Sequence, residues 1–157
     1  MTRNAIIGIG NPLRRDDGIG IHLLQSLMKD RSTLPPNLEL IDAGTGGMNL
    51  VHLLARFDVV LIIDAVHFGI PAGESRLLSP DEVRTNKTLS TTSTHMVDVL
   101  SLLRLSEQLH ELPQKLYIFG VQPIDMAHGT DLSQTLQRAC PRLLQELKQH
   151  IQTIFIG

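Results

Sequence analysis

Ala5-Ile6-Ile7-Gly8-Ile9-Gly10-Asn11-Pro12-Leu13-Arg14-Arg15-Asp16-Asp17-Gly18-Ile19-Gly20 is the stretch that decides the fold. The apolar run Ala5 to Ile9 reads as a strand. The glycine-rich residues after it read as a turn, and the amphipathic run from Ile19 as a helix. Gly8 and Gly10 permit positive φ and close backbone approach, and Pro12 stiffens the turn while removing a donor. Two adjacent carboxylates, Asp16 and Asp17, stand just ahead of the helix.

Three readings of those acids compete. Gly8-x-Gly10 after a first strand matches the opening of a dinucleotide fingerprint, which wants a third glycine and a helix N-terminus facing pyrophosphate. Position 13 is Leu13, and two aspartates would put negative charge where phosphate charge belongs. A second reading makes one aspartate a helix cap, accepting orphan amides and suiting the dipole. A third makes one of them a ligand or an acid–base group, and it needs partners elsewhere.

Outward from that turn, composition sets bounds. The chain has 157 residues, 42% apolar and 19% charged, which suits one globular domain over 1–157. A net charge of -2, with 3% aromatics and no Trp, gives no reason to expect nucleic acid or an anionic membrane as partner. A single Cys140 excludes an internal disulfide and a Cys-x-x-Cys zinc site. Within a periodic apolar helix it reads as a small buried hydrophobe rather than a nucleophile. The longest strand-like apolar run, Val59 to Ile63, is far short of a membrane span. With the N-terminus passing directly into a strand, no signal peptide is expected. A cytoplasmic monomer is the expectation.

Along the chain, Ile19, Leu23, Leu24, Leu27 and Met28 recur at helical spacing. His22 in that helix reads as ordinary helix polarity. Pro35-Pro36 breaks the chain, and Leu38 to Ile41 is a short strand ending at Asp42-Ala43-Gly44-Thr45-Gly46-Gly47. Met48 to Ala55 reads as a helix. Val59 to Ile63 is a fully buried strand ending on Asp64. Ser75 to Leu78 is a short strand, and Ser79-Pro80-Asp81-Glu82 starts a helical turn. Asn86 to Thr94 is a polar, mobile loop, after which His95 opens a helix carried by Val99, Leu102, Leu103 and Leu105. Lys115 to Val121 is the last strand. From Ser133 a helix follows with Leu136, Ala139, Leu143, Leu147 and Ile151 on one stripe, divided in two at Pro141.

Alternating strands and helices call for a mostly parallel sheet covered on both faces, with ligands beyond the carboxyl ends of its strands. Asp16 and Asp17, Asp42, and Asp64 follow three successive strands, with only Arg14 and Arg15 as nearby cations. Converging carboxylates repel unless a proton or cation is shared among them. A divalent ion satisfies that need, and His95 is the natural nitrogen ligand or base. Two carboxylates and an imidazole suit Zn, Ni, Mn or Fe without choosing among them. His128 is a second candidate at that edge, and His67 a weaker one as a donor behind Asp64.

Gly8-x-Gly10-Asn11-x-Leu13-x-x-Asp16-Asp17-Gly18-x-Gly20, then Asp42-x-Gly44-Thr45-x-Gly47, Asp64-Ala65 and a mid-chain histidine resemble the hydrogenase maturation endopeptidases. That family processes the large-subunit precursor of nickel–iron hydrogenases, and the match keeps its order from first strand to last helix. The resemblance implies a three-layer α/β/α sandwich around a mostly parallel five-stranded sheet, with Ser75 to Leu78 antiparallel. It implies that Asp17, Asp64 and His95 meet as the metal-contacting triad and that Asp42 is a further functionally sensitive acid. It also implies removal of a short C-terminal peptide, by aspartic-type or metal-dependent chemistry, once nickel is in place. In that account nickel arrives with the precursor rather than as a resident cofactor. Phe119-Gly120-Val121-Gln122-Pro123 resembles the branch acting on soluble bidirectional, NAD-linked hydrogenases. A non-proteolytic nickel-checking module using the same triad is the alternative.

Overall fold

Strands β1 (Asn4–Gly8), β2 (Leu38–Asp42), β3 (Val59–Ala65), β4 (Ser75–Leu78) and β5 (Lys115–Val121) form one sheet in the order β2-β1-β3-β5-β4. The structure, a computed structural model, describes residues 1–85 and 94–156, with the side chains of 84, 85, 94–98 and 100 outside the description. β1, β2, β3 and β5 run parallel, in the register Gly8↔Asp42, Gly8↔Ile63 and Asp64↔Gly120. β4 pairs antiparallel with β5, Ser75 opposite Val121.

Helices α1 (Ile19–Lys29) and α2 (Met48–Leu54) connect the first three strands. The chain moves outward from β1 to β2, then back across β1 to β3. Right-handed crossovers in opposite directions put the two helices on opposite faces. One core accordingly joins Ile6, Leu61, Ile63 and Phe119 to Leu24 and Leu27 of α1 and to Leu143 and Leu147 of α5 (Gln134–Phe155). The other joins Ile7, Val60, Ile62 and Ile118 to Leu50 and Leu54 of α2 and to Val99 and Leu103 of α4 (Thr94–Gln108). Odd and even strand positions feed different layers, so β3 carries no polar face until Asp64. Each fully buried Leu or Ile contributes roughly 1.5–3 kcal/mol by transfer.

α1 lies close on the sheet because of Gly20: a Cβ there would press into the carbonyl oxygens of Ile9 and Ile63. A short helix α3 (Pro80–Thr85) follows β4, and the Ser79 hydroxyl accepts from Glu82 N while Glu82 Oε1 accepts from Ser79 N. That reciprocal box is the helix start expected from Ser79-Pro80-Asp81-Glu82.

Two expectations are corrected. α5 runs unbroken from Gln134 to Phe155 with Pro141 inside it. Its buried stripe, Leu136, Ala139, Leu143, Leu147 and Ile151, is anchored on both sides of the proline, so packing holds one helical phase across the missing amide. Asp64 lies within β3 rather than beyond it, because the β3–β5 ladder continues through Asp64↔Gly120 and Ala65↔Val121. The polar loop at 86–93 lies outside the described residues. Among the described residues no helix is long and apolar enough to cross a membrane.

Candidate functional site

The sheet's chain order reverses at β1 and β3, and in a doubly wound sheet the crevice at such a switch point is where ligands bind. Asp17 and Asp64 both belong to it. Asp64 is the penultimate residue of β3 and fully buried, its Oδ1 accepting from Ala65 N at 2.8 Å. Directly before it, Ile63 O accepts from Ile9 N at 3.0 Å. Gly10 comes next, at φ 151, and a Cβ on it would collide with the carbonyl oxygen of Asp17. The glycine is therefore required so that the turn Arg15–Gly18 can fold down onto the ends of β1 and β3.

Within that turn the two aspartates part company. Asp16 is fully buried and accepts four hydrogen bonds. Ser133 N donates to Oδ1 at 2.7 Å, and Ser133 Oγ, Ile124 N and Asp125 N donate to Oδ2 at 2.9, 3.0 and 3.0 Å. Ser133 Oγ in turn accepts from Leu136 N and caps α5. The backbone adds Arg15 N to Gly129 O, Asp16 N to Asp125 O and Gly129 N to Leu13 O. Arg15 pairs with Asp125 at 3.2 Å. Asp16 thus fastens the segment after β5 onto the turn after β1. Its oxygens are occupied, so it leaves the set of candidate ligands.

Asp17 is 5% exposed and accepts one bond, from Asn11 N to Oδ2 at 3.0 Å. Its Oδ1 is buried and has no hydrogen-bond partner among the described residues. Asn11 braces the same loop, its Oδ1 accepting from Leu13 N and its carbonyl from Arg14 N, both at 3.0 Å. A buried carboxylate oxygen without a donor is costly, and sites where it persists are those that receive a cation, a proton or a water.

The other expected residues are placed as follows. Asp42 ends β2 at the sheet's edge, exposed, with Oδ1 accepting from Gly44 N at 2.8 Å in a local turn. Among the described residues no three His, Cys, Asp or Glu side chains gather closely enough to hold a metal ion. Asp17, Asp42 and Asp64 alone are therefore not a ligand set. His95 lies in the first turn of α4, and its side chain lies outside the described residues. His128 is exposed on the segment after β5. His67 is half-buried, with Nδ1 3.5 Å from Gln122 Nε2. Cys140 is half-buried; burial and the nearby Asp16 charge push its thiol above the ordinary value, which suits an inert thiol.

Sequence reasoning missed three supports: Asn11, Ser133 and Gln122. Gln122 is buried just past β5, and its Oε1 accepts from Phe68 N at 2.6 Å and Gly69 N at 3.2 Å, fixing the turn that follows Asp64. The signal was a polar residue and proline directly after an apolar strand. For Ser133 it was a helix-capping residue directly after the apolar Leu132.

The chain is similar in sequence and in fold to known proteins. A family model described as hydrogenase maturation protease matches residues 21–150. The hydrogenase 2 maturation protease of Escherichia coli is 33% identical over 149 residues, covering 92% of this chain and 88% of that protein. The hydrogenase expression/formation protein HupD of Thiocapsa roseopersicina is 32% identical over 121 residues. There the match covers 77% of this chain but only 54% of the relative, so the chain spans about half of that longer protein. Among solved structures, the hydrogenase-maturating endopeptidase HybD from Escherichia coli superposes with a TM-score of 0.82 at 26% identity, over 96% of this chain and 93% of that one. On the family model and these relatives, the chain belongs to the hydrogenase maturation protease family.

Proposed function

We propose that this chain is an endopeptidase that removes the C-terminal extension of a nickel–iron hydrogenase large-subunit precursor after nickel insertion. The observation that carries the reading is Asp17 Oδ1, a buried acceptor without a donor at the crevice that Asp64 also borders. Family membership supplies the substrate class.

The nickel is part of the substrate. It reaches the crevice bound to the precursor, and Asp17, Asp64 and the imidazole of His95 complete its coordination. The placement of His95 supports this: α4 leads back to the start of β5, so its first turn belongs to the carboxyl edge of the sheet. A precursor without metal leaves the buried Oδ1 of Asp17 without a partner, which makes docking depend on nickel. Asp17 Oδ1 then serves as a ligand to that nickel or as the base that takes a proton from water. Asp42 shapes the mouth of the crevice from the neighbouring strand end. The segment Phe119-Gly120-Val121-Gln122-Pro123 points to the soluble bidirectional, NAD-linked hydrogenase as the partner.

The test is the intact mass of a nickel-loaded large subunit after incubation with this protein, beside nickel-free precursor. Loss of a C-terminal peptide from the loaded form alone is expected. Binding without any mass change would replace the protease with a nickel-checking module. Presenting precursors of the NAD-linked class and of another class separates the partners.

A further inference from the structure

A cleft of about 420 Å³ opens between α1 and the segment leading into α5, within the ~300–1,000 Å³ range of ligand-binding clefts. It shares a wall with the candidate site, since Arg15 and Gly18, the first and last residues of the turn that carries Asp17, both line it. Its floor is apolar, from the buried Ile21 and Leu132. Its rim carries His22, Gln25, Thr130 and Asp131. All four are exposed, and none of their side chains has a hydrogen-bond or ion-pair partner among the described residues. These are donors and acceptors left for something outside the chain.

The charge of the cleft says what kind of ligand fits. Arg15 is already paired with Asp125 at 3.2 Å, and partial burial of its ring together with the Lys29 charge keeps His22 toward its neutral form. Asp131 remains as an acid on the rim. A phosphate-bearing or strongly acidic ligand finds no free cation here, whereas main-chain amides and carbonyls find uncharged partners and apolar side chains find the floor. The walls are also fixed in advance. Asp16 holds Ser133, Arg15 N donates to Gly129 O, and Gln137 Nε2 donates to Leu132 O at 2.7 Å. A preformed cleft binds without an ordering cost of its own.

We propose that this cleft binds the stretch of precursor next to the cleavage point, as an extended, largely uncharged peptide lying between α1 and residues 130–132. The inference rests on the protease reading and adds the surface that aligns the substrate chain with Asp17. Contacts there hold the precursor equally in the ground and transition states, so they add affinity for the substrate chain rather than acting on the scissile bond.

The experiment pairs processing kinetics of His22→Trp with backbone amide exchange of the wild-type chain mixed with nickel-loaded precursor. His22 is exposed on α1, and the indole fills the cleft from its rim. The expected result is a KM for precursor raised about tenfold with kcat retained, the pattern of lost uniform binding. Exchange over 130–132 should slow in the presence of precursor while 31–34, at the far end of α1, stays unchanged. If wild-type protein cuts the precursor yet exchange over 130–132 is unaffected, or the variant keeps its KM, the cleft is not the peptide site. Protection without cutting would overturn the protease reading and keep the cleft. Neither protection nor cutting would overturn both.

Discussion

Ser133 and Asp16, 117 residues apart in sequence, are joined by two hydrogen bonds, Ser133 N to Oδ1 at 2.7 Å and Ser133 Oγ to Oδ2 at 2.9 Å. The pair closes the carboxyl edge of the sheet by tying the last segment before α5 to the first turn of the chain. Removing Asp16 orphans four donors, two of them on the buried Ser133. Asp16→Ala should therefore cost about 3 kcal/mol or more, the range for buried donors losing a charged acceptor. A melting temperature within a degree or two of wild type would show the bonds to be energetically idle.

Ser133→Ala removes the cap on Leu136 N and one donor to Asp16, and should cost about 1–2 kcal/mol. Because the two residues share a network, the double variant should lose less than the sum of the single losses. Strict additivity in a double-mutant cycle would argue that they act separately.

Asp17→Asn has the opposite signature. It keeps an acceptor for Asn11 N, removes a buried charge, and should leave the melting temperature unchanged or raise it. Precursor processing should fall by about 100-fold or more, the scale of losing an acid–base or charge-stabilising group. Asp64→Asn likewise keeps an oxygen for Ala65 N and should abolish processing. A variant at position 17 that cuts at the wild-type rate would remove Asp17 from the site.

Stability should fall on mild acidification. Burial lowers the imidazole of His22, and the Lys29 charge adds to it; burial also lowers His150, with the Glu146 charge partly opposing. Both groups lie below the ordinary 6.5 when folded, so the unfolded chain binds their protons more readily. The stability linked to them is complete above about pH 6.5 and is lost as pH drops through the folded values. Glu146 adds a second loss at lower pH. Burial alone would raise it, but bonds from Ser75 and Arg142 and the charges of Arg142 and His150 outweigh that and hold it below the ordinary 4.5. Melting temperatures from about pH 7.5 to about pH 3 check both steps, and a flat profile between about pH 6.5 and 5 would exclude the histidine contribution.

Pro141→Ala should stabilise the protein by about 1–2 kcal/mol, since it restores an amide inside a continuous helix at the cost of some unfolded-state freedom. A loss on this substitution would mean that the proline is matched to a local bend.

The strand and helix order was readable because each element carries its own period and its own stops: Lys115–Val121 and Ser75–Leu78 coincide with the observed strands residue for residue. The antiparallel direction of β4 was expected from the family resemblance. The division of labour between Asp16 and Asp17 was not readable. Both occupy a turn before a helix, and what separates them is a set of amides at 124, 125 and 133 that only folding brings near. The continuity of α5 through Pro141 was missed for the same reason, since the tertiary stripe overrides a local breaker.

The clasp between the chain's opening turn and its last third also orders events during synthesis. Until residue 133 has left the ribosome, the carboxylate of Asp16 has no Ser133 amide or hydroxyl to accept, and the turn bearing Asp17 lacks its fastening. Strands β1 to β3 can pair beforehand, yet the acid at position 17 is held in register only after residue 133 has emerged. A nascent chain ending before Ile124 should accordingly show fast amide exchange at 14–17 while β1 is already protected. A chain that stops short of residue 124 therefore presents no finished site to bind or cut anything.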